Sequence, residues 1–184
     1  MNMIIATHNA HKIEEFGRIL APLGITVQTA ELTEAEETGT TFRENAYIKA
    51  KSACDETGLP CVADDSGLSV DYLNGEPGVY SARYLGDTPY EEKNRILIER
   101  VKDAKGKERS ARFMCNTAAV LPDGRVLHTE AAMEGEIAKE AAGNGGFGYD
   151  PILWLPEYGK TSAELTMEEK NRISHRGKAL ERMK

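Results

Sequence analysis

Short apolar runs flank a segment of helical spacing at the start of the chain. Residues 3–6 are an apolar run of the length typical of a buried β-strand, and Ile25-Thr26-Val27 is the predicted second strand. Between them, Ile13, Phe16 and Leu20 recur at intervals of three and four, which predicts one face of an amphipathic helix. We therefore expect the chain to open with a strand, a helix and a second strand.

A second helix is predicted to begin at Thr41. Thr41 and Glu44 have the spacing of a capping box, in which a hydroxyl and a carboxylate each accept a hydrogen bond from a backbone N–H that the helix leaves unpaired. Gly58 and Pro60 are typical of a helix end, and the apolar residues 61–63 that follow predict a third strand, which is buried.

The rest of the chain is predicted to hold a helix, a β-hairpin, a strand and a terminal helix. Thr88 has the position of a cap, and Pro89 that of a first helical residue, where its missing N–H costs little. The later elements are a strand over residues 110–121, a turn at 122–124, a strand over 125–133, a strand over 151–155 and a helix from residue 166. This order favours an α/β fold with a mixed sheet.

Composition is that of a globular protein. The chain has 184 residues, of which 40% are apolar and 29% charged. This length suits one domain over residues 1–184, or two lobes that share a sheet. No apolar run approaches the roughly 18–20 residues that span a bilayer, and the run at residues 3–6 is too short for a signal peptide. We expect a cytoplasmic protein that does not bind a membrane.

Charge and cysteine content argue against a nucleic-acid-binding protein, a disulfide framework and a zinc site. The net charge of −7 argues against a protein that binds a nucleic-acid polymer, although it permits a nucleotide held by a few lysines and a metal ion. Cys54, Cys61 and Cys115 are odd in number and lack metal-binding spacing, which argues against a disulfide framework or a zinc site. Buried, reduced thiols are the prediction.

The turn between the first strand and the first helix is a candidate anion site. A helix start offers unpaired N–H groups and the positive end of the helix dipole. The polar side chains there add hydrogen-bonding groups and one formal charge. The segment consists of Thr7, His8, Asn9, Ala10, His11 and Lys12. The alternative is a helix capped by Asn9 with a solvated lysine.

Two adjacent carboxylates, Asp64 and Asp65, are predicted to follow the third strand directly. Side chains alternate between faces along a regular strand, and Gly67 permits a turn that redirects one of the two. Carboxylate oxygens suit Mg²⁺, and a second carboxylate is suited to act as general base on a water molecule. The alternative is a turn with both acids solvated.

An acidic stretch offers a further metal ligand. It contains Glu31, Glu34, Glu36 and Glu37. Such a run is usually a solvated face, but one member supplies another carboxylate to the metal if the loop folds back.

A glycine-rich segment with two aromatic residues is the third candidate. Four glycines lie within residues 143–148, and Phe147 and Tyr149 have little apolar sequence around them. A planar ligand stacked on a ring accounts for this composition, and a flexible surface turn is the alternative.

The terminal helix carries polar residues that offer donors to an oxo group or a phosphate. Spacing predicts that Lys170, Ser174 and Gly177 share one face, with His175 and Arg176 beside them. The alternative is an exposed basic face.

Together and in this order, these motifs resemble the Ham1/inosine triphosphatase family of non-canonical purine nucleoside triphosphate pyrophosphatases, known as dITP/XTP pyrophosphatases. The resemblance covers nearly the whole chain. Its pieces are Thr7-His8-Asn9 with Lys12, Glu44-Asn45-Ala46, Ala63-Asp64-Asp65-Ser66-Gly67, Pro77-Gly78, Ser81-Ala82-Arg83-Tyr84, Gly146-Phe147-Gly148-Tyr149-Asp150-Pro151 and Ser174-His175-Arg176.

The resemblance implies a fold, an activity and a cofactor. It implies an elongated mixed sheet with two lobes and the nucleotide in the cleft between them. It also implies hydrolysis of the triphosphates of inosine, deoxyinosine and xanthosine to a monophosphate and pyrophosphate, with Mg²⁺ and in a homodimer. Alternatives are a pyrophosphatase for other modified triphosphates, and a nucleotide-binding module without catalysis.

The resemblance also implies a role for individual residues. Asp65 matches the proton acceptor and a metal ligand, and Glu36 the second metal ligand, with Glu37 left open as its replacement. Lys49 joins residues 7–12 as a phosphate contact. The remaining substrate-binding positions are Ser66, Phe147, Gly148, Tyr149, Asp150, Lys170, His175 and Arg176.

Overall fold

The computed structural model describes residues 1–183, which form a seven-stranded mixed sheet accompanied by five α-helices. The strands are β1 (Asn2–Ile5), β2 (Thr26–Gln28), β3 (Cys61–Val70), β4 (Ser110–Val120), β5 (Val126–Ile137), β6 (Leu153–Leu155) and β7 (Lys160–Thr161). The helices are α1 (Ala10–Leu20), α2 (Phe42–Thr57), α3 (Tyr90–Arg100), α4 (Met167–Ile173) and α5 (His175–Glu181).

Strand pairing confirms the predicted mixed α/β sheet. The strand order is β2-β1-β3-β4-β5-β6-β7. Strand β1 pairs in parallel with β2 and β3, as expected where helices connect consecutive strands. Strand β6 pairs antiparallel with β5 and β7.

The chain divides into two compact units. The first unit comprises residues 1–66, residues 115–131 and the C-terminal segment from His175, and the second comprises residues 67–114 and 132–174. The first unit packs Phe16 and Leu20 of α1 against Ile5 and Val62. The second unit has its own core, which includes Leu68, Leu97, Phe113, Ile152 and Leu153.

Helix α2 lies close to the sheet because the residues it buries are small. Ala46, Ala50 and Cys54 are buried on one side of the helix and pack with residues of the sheet such as Ala63. The predicted capping box is present: the Thr41 hydroxyl accepts from the Glu44 N–H and the Glu44 carboxylate accepts from the Thr41 N–H.

Three local predictions are wrong. Thr88 does not cap α3, because its hydroxyl donates to the Leu85 carbonyl at 2.6 Å and Pro89 precedes the helix in an extended conformation. The strand predicted from residue 151 begins at residue 153, after a 3-10 turn over Asp150–Ile152. The terminal helix is broken at Ser174, whose ψ of 140° is extended, so Lys170 and Gly177 lie on separate helices and do not share a helix face.

The three cysteines are buried thiols, as predicted. Cys54, Cys61 and Cys115 are all buried and free. Within residues 1–183, no helix combines the length and the apolar character needed to cross a bilayer.

Candidate active site

Asp64 and Asp65 lie inside β3 and not after it. The strand continues to Val70, and both side chains are buried, so the predicted turn at Gly67 is wrong. A Cβ on Gly67 would lie 2.5 Å from the Ser81 hydroxyl oxygen, which accepts from the Leu68 N–H at 2.9 Å. Glycine therefore lets the strand continue past the aspartates, and the two carboxylates reach different partners because strand side chains alternate.

Asp64 is the acceptor for a set of cations and a hydroxyl. Lys12 Nζ lies 3.0 Å from its Oδ1, and Arg176 Nε and the Ser66 hydroxyl each donate to its Oδ2 at 3.1 Å. Burial by itself would raise the pKa of Asp64, but the positive charges of Lys12, Arg176 and Lys49 lower that pKa well below its usual range. Asp64 is therefore a buried carboxylate anion.

Arg176 is committed to partners within the first unit. Besides Asp64, it donates to Glu15 at 2.6 Å and to the Ser66 hydroxyl at 3.1 Å, and only 3% of the residue is exposed. The sequence placed Arg176 among substrate contacts, whereas all three guanidinium nitrogens donate to protein oxygens. Ser66 is thereby fixed between Asp64 and Arg176.

Asp65 faces a different cluster, formed with Lys49 and Glu37. Lys49 Nζ lies 2.9 Å from a Glu37 oxygen and 3.6 Å from Asp65 Oδ1. Burial raises the pKa of Asp65, Lys49 opposes this rise, and the negative charge of Glu37 adds to it. Asp65 Oδ2 is buried and has no hydrogen-bond partner among residues 1–183.

The geometry favours Glu37 over Glu36 as the second carboxylate. Glu36 is exposed, while Glu37 is partly buried and reaches Lys49. The loop is held there by Asn45, whose Oδ1 accepts from the Gly39 N–H at 2.8 Å. Asn45 and Lys49 are one helical turn apart on α2, so the helix contacts the loop twice, at Gly39 and at Glu37.

The predicted phosphate segment forms the start of α1. Asn9 caps the helix by accepting from the His11 and Lys12 N–H groups, and the Thr7 hydroxyl accepts from the Asn9 N–H at 3.2 Å. His8 and His11 are exposed, as is Ala10 at the first helical position, whereas Thr7, Asn9 and Lys12 are partly buried. The capped helix is thus present, but Lys12 is paired with Asp64 and not simply solvated.

Asp150 organises the glycine-rich segment in the second unit. It accepts from the Phe147 N–H at 2.9 Å, from the Ser162 hydroxyl at 2.6 Å and from Lys170 Nζ at 2.5 Å. A side chain on Gly146, which has φ of +68°, would overlap the Asp150 carboxylate and lie near Lys170 Nζ. Glycine is therefore required for this ion pair to form.

The two aromatic residues of this segment have different environments. Phe147 is 42% exposed, with Lys170 Nζ 5.6 Å from its ring centroid. Tyr149 belongs to the core, where its hydroxyl donates to the Ser81 carbonyl at 2.5 Å and its ring meets Tyr90 edge-on at 5.2 Å. The exposed Phe147 ring therefore fits a stacking role, whereas Tyr149 packs as a core residue.

Several residues that support these clusters give little or no signal in the sequence. Glu15 pairs with Arg176, and Asn94 of α3 donates to the Gly148 carbonyl at 3.1 Å. Glu15 had no signal, because its partner lies 161 positions away. Asn94 is a polar residue among the apolar positions of α3, and this anomaly was the available signal. His175 is buried at the start of α5.

Comparisons with known proteins identify the family of the chain. The model of the Ham1 family matches residues 3–184. A dITP/XTP pyrophosphatase of Thermus thermophilus is 50% identical over 183 residues, which are 98% of this chain and 88% of that protein. The dITP/XTP pyrophosphatase of Escherichia coli O157:H7 is 49% identical, over 97% of this chain and 93% of that protein.

Solved structures show the same similarity. A HAM1 protein from Coxiella burnetii has a TM-score of 0.92 and 42% identity, covering 100% of this chain and 96% of that one. The Ham1 protein of Staphylococcus aureus has a TM-score of 0.89 and 38% identity, with the same coverage. The resemblance stated from the sequence motifs is thereby confirmed: the chain belongs to the Ham1 family.

Proposed function

We propose that the chain hydrolyses non-canonical purine nucleoside triphosphates, those of inosine, deoxyinosine and xanthosine, to the monophosphate and pyrophosphate. The observation that carries this proposal is Asp65, a buried carboxylate near Lys49 and Glu37 with one oxygen that has no partner among the described residues. Relatives about half identical along nearly the whole chain bear the name dITP/XTP pyrophosphatase, which supports the choice of substrate.

Asp65 is proposed as the proton acceptor. A water molecule donates its proton to Asp65 as its oxygen bonds to the α-phosphorus, and the bond from that phosphorus to the bridging oxygen breaks to release pyrophosphate. The raised pKa of Asp65, caused by burial and by Glu37, makes its carboxylate a better proton acceptor than a solvated one.

Mg²⁺ fits the carboxylates at Asp65. Mg²⁺ prefers oxygen ligands and takes one or two protein carboxylates together with phosphate oxygens, and we propose Asp65 and Glu37 as the two, in place of Glu36. The unpaired Asp65 Oδ2 supports this fit, because a buried carboxylate oxygen without a partner costs free energy. When bound, the ion withdraws charge from phosphate oxygens.

Cations and the start of α1 are proposed to bind the phosphates. Lys12 and Lys49 supply positive charge, and residues 7–12 supply hydrogen-bonding groups next to a helix start. Asp64 and Arg176 are proposed to act through others: Asp64 positions Lys12, and Arg176 fixes Ser66. The Lys12–Asp64 pair keeps the lysine in one place before substrate arrives.

Base selection is proposed to rest on Phe147 and His175. The exposed Phe147 ring offers a stacking surface, with Lys170 and Asp150 holding the segment. Gly148 and Tyr149 shape its backbone. A donor at His175 favours the 6-oxo group of hypoxanthine and xanthine over the 6-amino group of adenine, because facing donors leave buried polar groups unpaired at a cost of about 1–3 kcal/mol each. The nucleotide-binding cleft implied by the family resemblance stays a prediction.

Pyrophosphate release from a panel of triphosphates tests the proposal. The panel holds the triphosphates of inosine, xanthosine, adenosine, guanosine and deoxyuridine, each with Mg²⁺ and with a chelator. We expect release from the first two at about 10²-fold or more above adenosine triphosphate, and none with the chelator. Preference for a pyrimidine would favour a pyrophosphatase for other modified nucleotides, and no release from any member would favour a non-catalytic module.

Two further properties follow from the proposed substrate and the resemblance. A substrate drawn from the cellular nucleotide pool makes a cytoplasmic location the expected one. The homodimer is likewise proposed from the family resemblance, and light scattering on the purified protein tests it, because a mass of one chain at working concentration would contradict it.

A further inference from the structure

Helix α3 carries a buried asparagine that contacts the segment bearing Phe147. Asn94 is 3% exposed, and its Nδ2 donates to the Gly148 carbonyl at 3.1 Å, across 54 positions of sequence. Its Oδ1 is buried and has no hydrogen-bond partner among the described residues. A buried amide costs free energy when half of its hydrogen bonds are missing, so an apolar residue would serve core packing better.

Asn94 and Asp150 together bracket Phe147. Asp150 accepts from the Phe147 N–H, and the carbonyl that Asn94 binds belongs to the next residue, Gly148. Gly148 has φ of +63°, and a Cβ there would lie 3.5 Å from the Tyr90 ring. The backbone on both sides of Phe147 is therefore fixed by side-chain hydrogen bonds from two different elements, and this backbone sets the direction of the exposed ring.

We propose that Asn94 is a positioning residue for base recognition, which holds the Gly148 carbonyl so that the Phe147 ring is oriented to stack on the purine. The inference rests on the proposed function for the identity of the stacked base. Asn94 does not contact the nucleotide in this role. It lowers the conformational freedom of the segment before binding, so less conformational entropy is lost when the base stacks.

The contacts of the neighbouring Lys93 differ from those of Asn94, so the two buried polar residues of α3 do not share one supporting role. Lys93 is also 3% exposed, but its Nζ donates to the Ala82 carbonyl at 3.4 Å and lies 4.7 Å from the Tyr90 ring centroid. The two buried polar residues thus hold different segments, and Asn94 is the one that binds next to Phe147.

Two variants of Asn94 test the proposal through binding of the two reaction products. Asn94→Asp keeps the shape but replaces the donor with an acceptor, and Asn94→Ala removes the amide without adding charge. We expect both to bind inosine monophosphate about tenfold more weakly than the unaltered protein, the order of one lost hydrogen bond. Binding of inorganic pyrophosphate is expected to be unchanged, since this ligand has no base. Titration calorimetry measures both affinities.

Two control variants separate positioning from stability and charge. Leu97→Val removes a buried methyl group from the same helix and leaves the Asn94 contact in place. Asn74→Asp makes the same chemical change at an exposed turn of the second unit. Both are expected to bind inosine monophosphate as the unaltered protein does. The proposal is overturned if either control matches Asn94→Asp, if both Asn94 variants stay within about twofold, or if pyrophosphate binding weakens in parallel.

Hydrogen exchange supplies a measurement that does not depend on the substrate. In the ligand-free protein, the Phe147 amide is expected to exchange about tenfold faster in Asn94→Ala than in Leu97→Val, since one of the two bracketing bonds is gone. Equal exchange rates overturn the positioning role. A protein that releases no pyrophosphate from any triphosphate would instead contradict the proposed function, while the exchange result still decides whether Asn94 fixes the segment.

Discussion

Asp64 and Asp65 are consecutive residues of β3, yet their carboxylates belong to different charge clusters of the first unit. Asp64 lies 3.0 Å from Lys12, and Asp65 lies 3.6 Å from Lys49. The pKa of Asp64 is held well below its usual range by its cations, while burial raises that of Asp65. Adjacent residues of the same type are thus suited to different tasks, one to hold cations and one to accept a proton.

Exchange of these two aspartates for asparagine is expected to give different defects. Asp65→Asn cannot accept a proton and loses a proposed Mg²⁺ ligand, so its turnover of inosine triphosphate should fall by at least about 10²-fold even at saturating Mg²⁺. Asp64→Asn leaves Arg176 and Lys12 without their shared anion, and should lower the free energy of unfolding by about 3 kcal/mol. Steady-state kinetics and urea unfolding measure the two effects. Near-normal turnover by Asp65→Asn would contradict the assignment.

Neighbouring glutamates provide a matched pair for the metal site. Glu37→Gln should raise the Mg²⁺ concentration needed for half-maximal activity by at least about tenfold, the order seen when a group that supports a metal site is lost. Glu36→Gln should leave it unchanged, because Glu36 is exposed. Direct titration of each variant with Mn²⁺, followed by electron paramagnetic resonance, checks the result without turnover. Equal behaviour of the two variants would remove Glu37 from the site.

Arg176 is expected to affect stability and not base preference. Lysine in its place keeps the charge but cannot bond to Asp64, Glu15 and Ser66 together, because it lacks the planar fork of donors. Arg176→Lys should lose about 2 kcal/mol of unfolding free energy, the order of one hydrogen bond to a charged group. The ratio of kcat/KM for inosine over adenosine triphosphate should persist in it and fall in His175→Ala. A lost ratio in Arg176→Lys would return Arg176 to base recognition.

His128 is expected to make stability depend on pH. Burial and the positive charge of Arg43 lower its pKa from the ordinary 6.5, although the Thr117 backbone opposes the shift, and its Nδ1 is buried with no partner among residues 1–183. Because the unfolded chain binds the proton more readily, the contribution of His128 to the free energy of unfolding is complete above pH 6.5. It is lost as the pH falls toward the lower pKa that His128 has in the folded chain.

Urea unfolding of His128→Gln between about pH 7.5 and 5 checks this prediction. Glutamine does not titrate, so the variant should lose less stability than the unaltered protein as the pH falls. His8→Gln is the control, because it makes the same substitution at an exposed residue of the same unit. Parallel curves for His128→Gln and the unaltered protein would contradict the expectation.

Features encoded by nearby residues were predictable from the sequence. The Thr41–Glu44 capping box depends on residues within one helical turn, and this prediction is confirmed. Helix α1 is likewise capped by Asn9, as its sequence allows. Family membership was also predictable, because several short motifs spread over nearly the whole chain together resemble one family, and the Ham1 family model matches residues 3–184.

Features that depend on distant residues were not predictable. Nothing local shows that the Ser81 hydroxyl bonds to the Leu68 N–H and keeps β3 extended beyond Gly67. The partners of Arg176 are equally remote, so nothing in the sequence indicated its ion pairs with Glu15 and Asp64. The prediction of one terminal helix through Ser174 was also wrong, because the backbone at Ser174 is extended and ends α4.

The continuous path of β3 has a consequence for how this chain tolerates insertions and deletions. The strand is aligned with β1 through Ile4 opposite Cys61 and Ile5 opposite Val62, only a few residues before the two aspartates. A slip of one residue would turn each carboxylate to the opposite face of the strand, so neither aspartate would keep its present partners. The alignment of β3 with β1 therefore decides which aspartate meets which lysine. A single residue inserted just before Asp64 would move Asp64 into the place of Asp65 and leave Lys12 without its carboxylate.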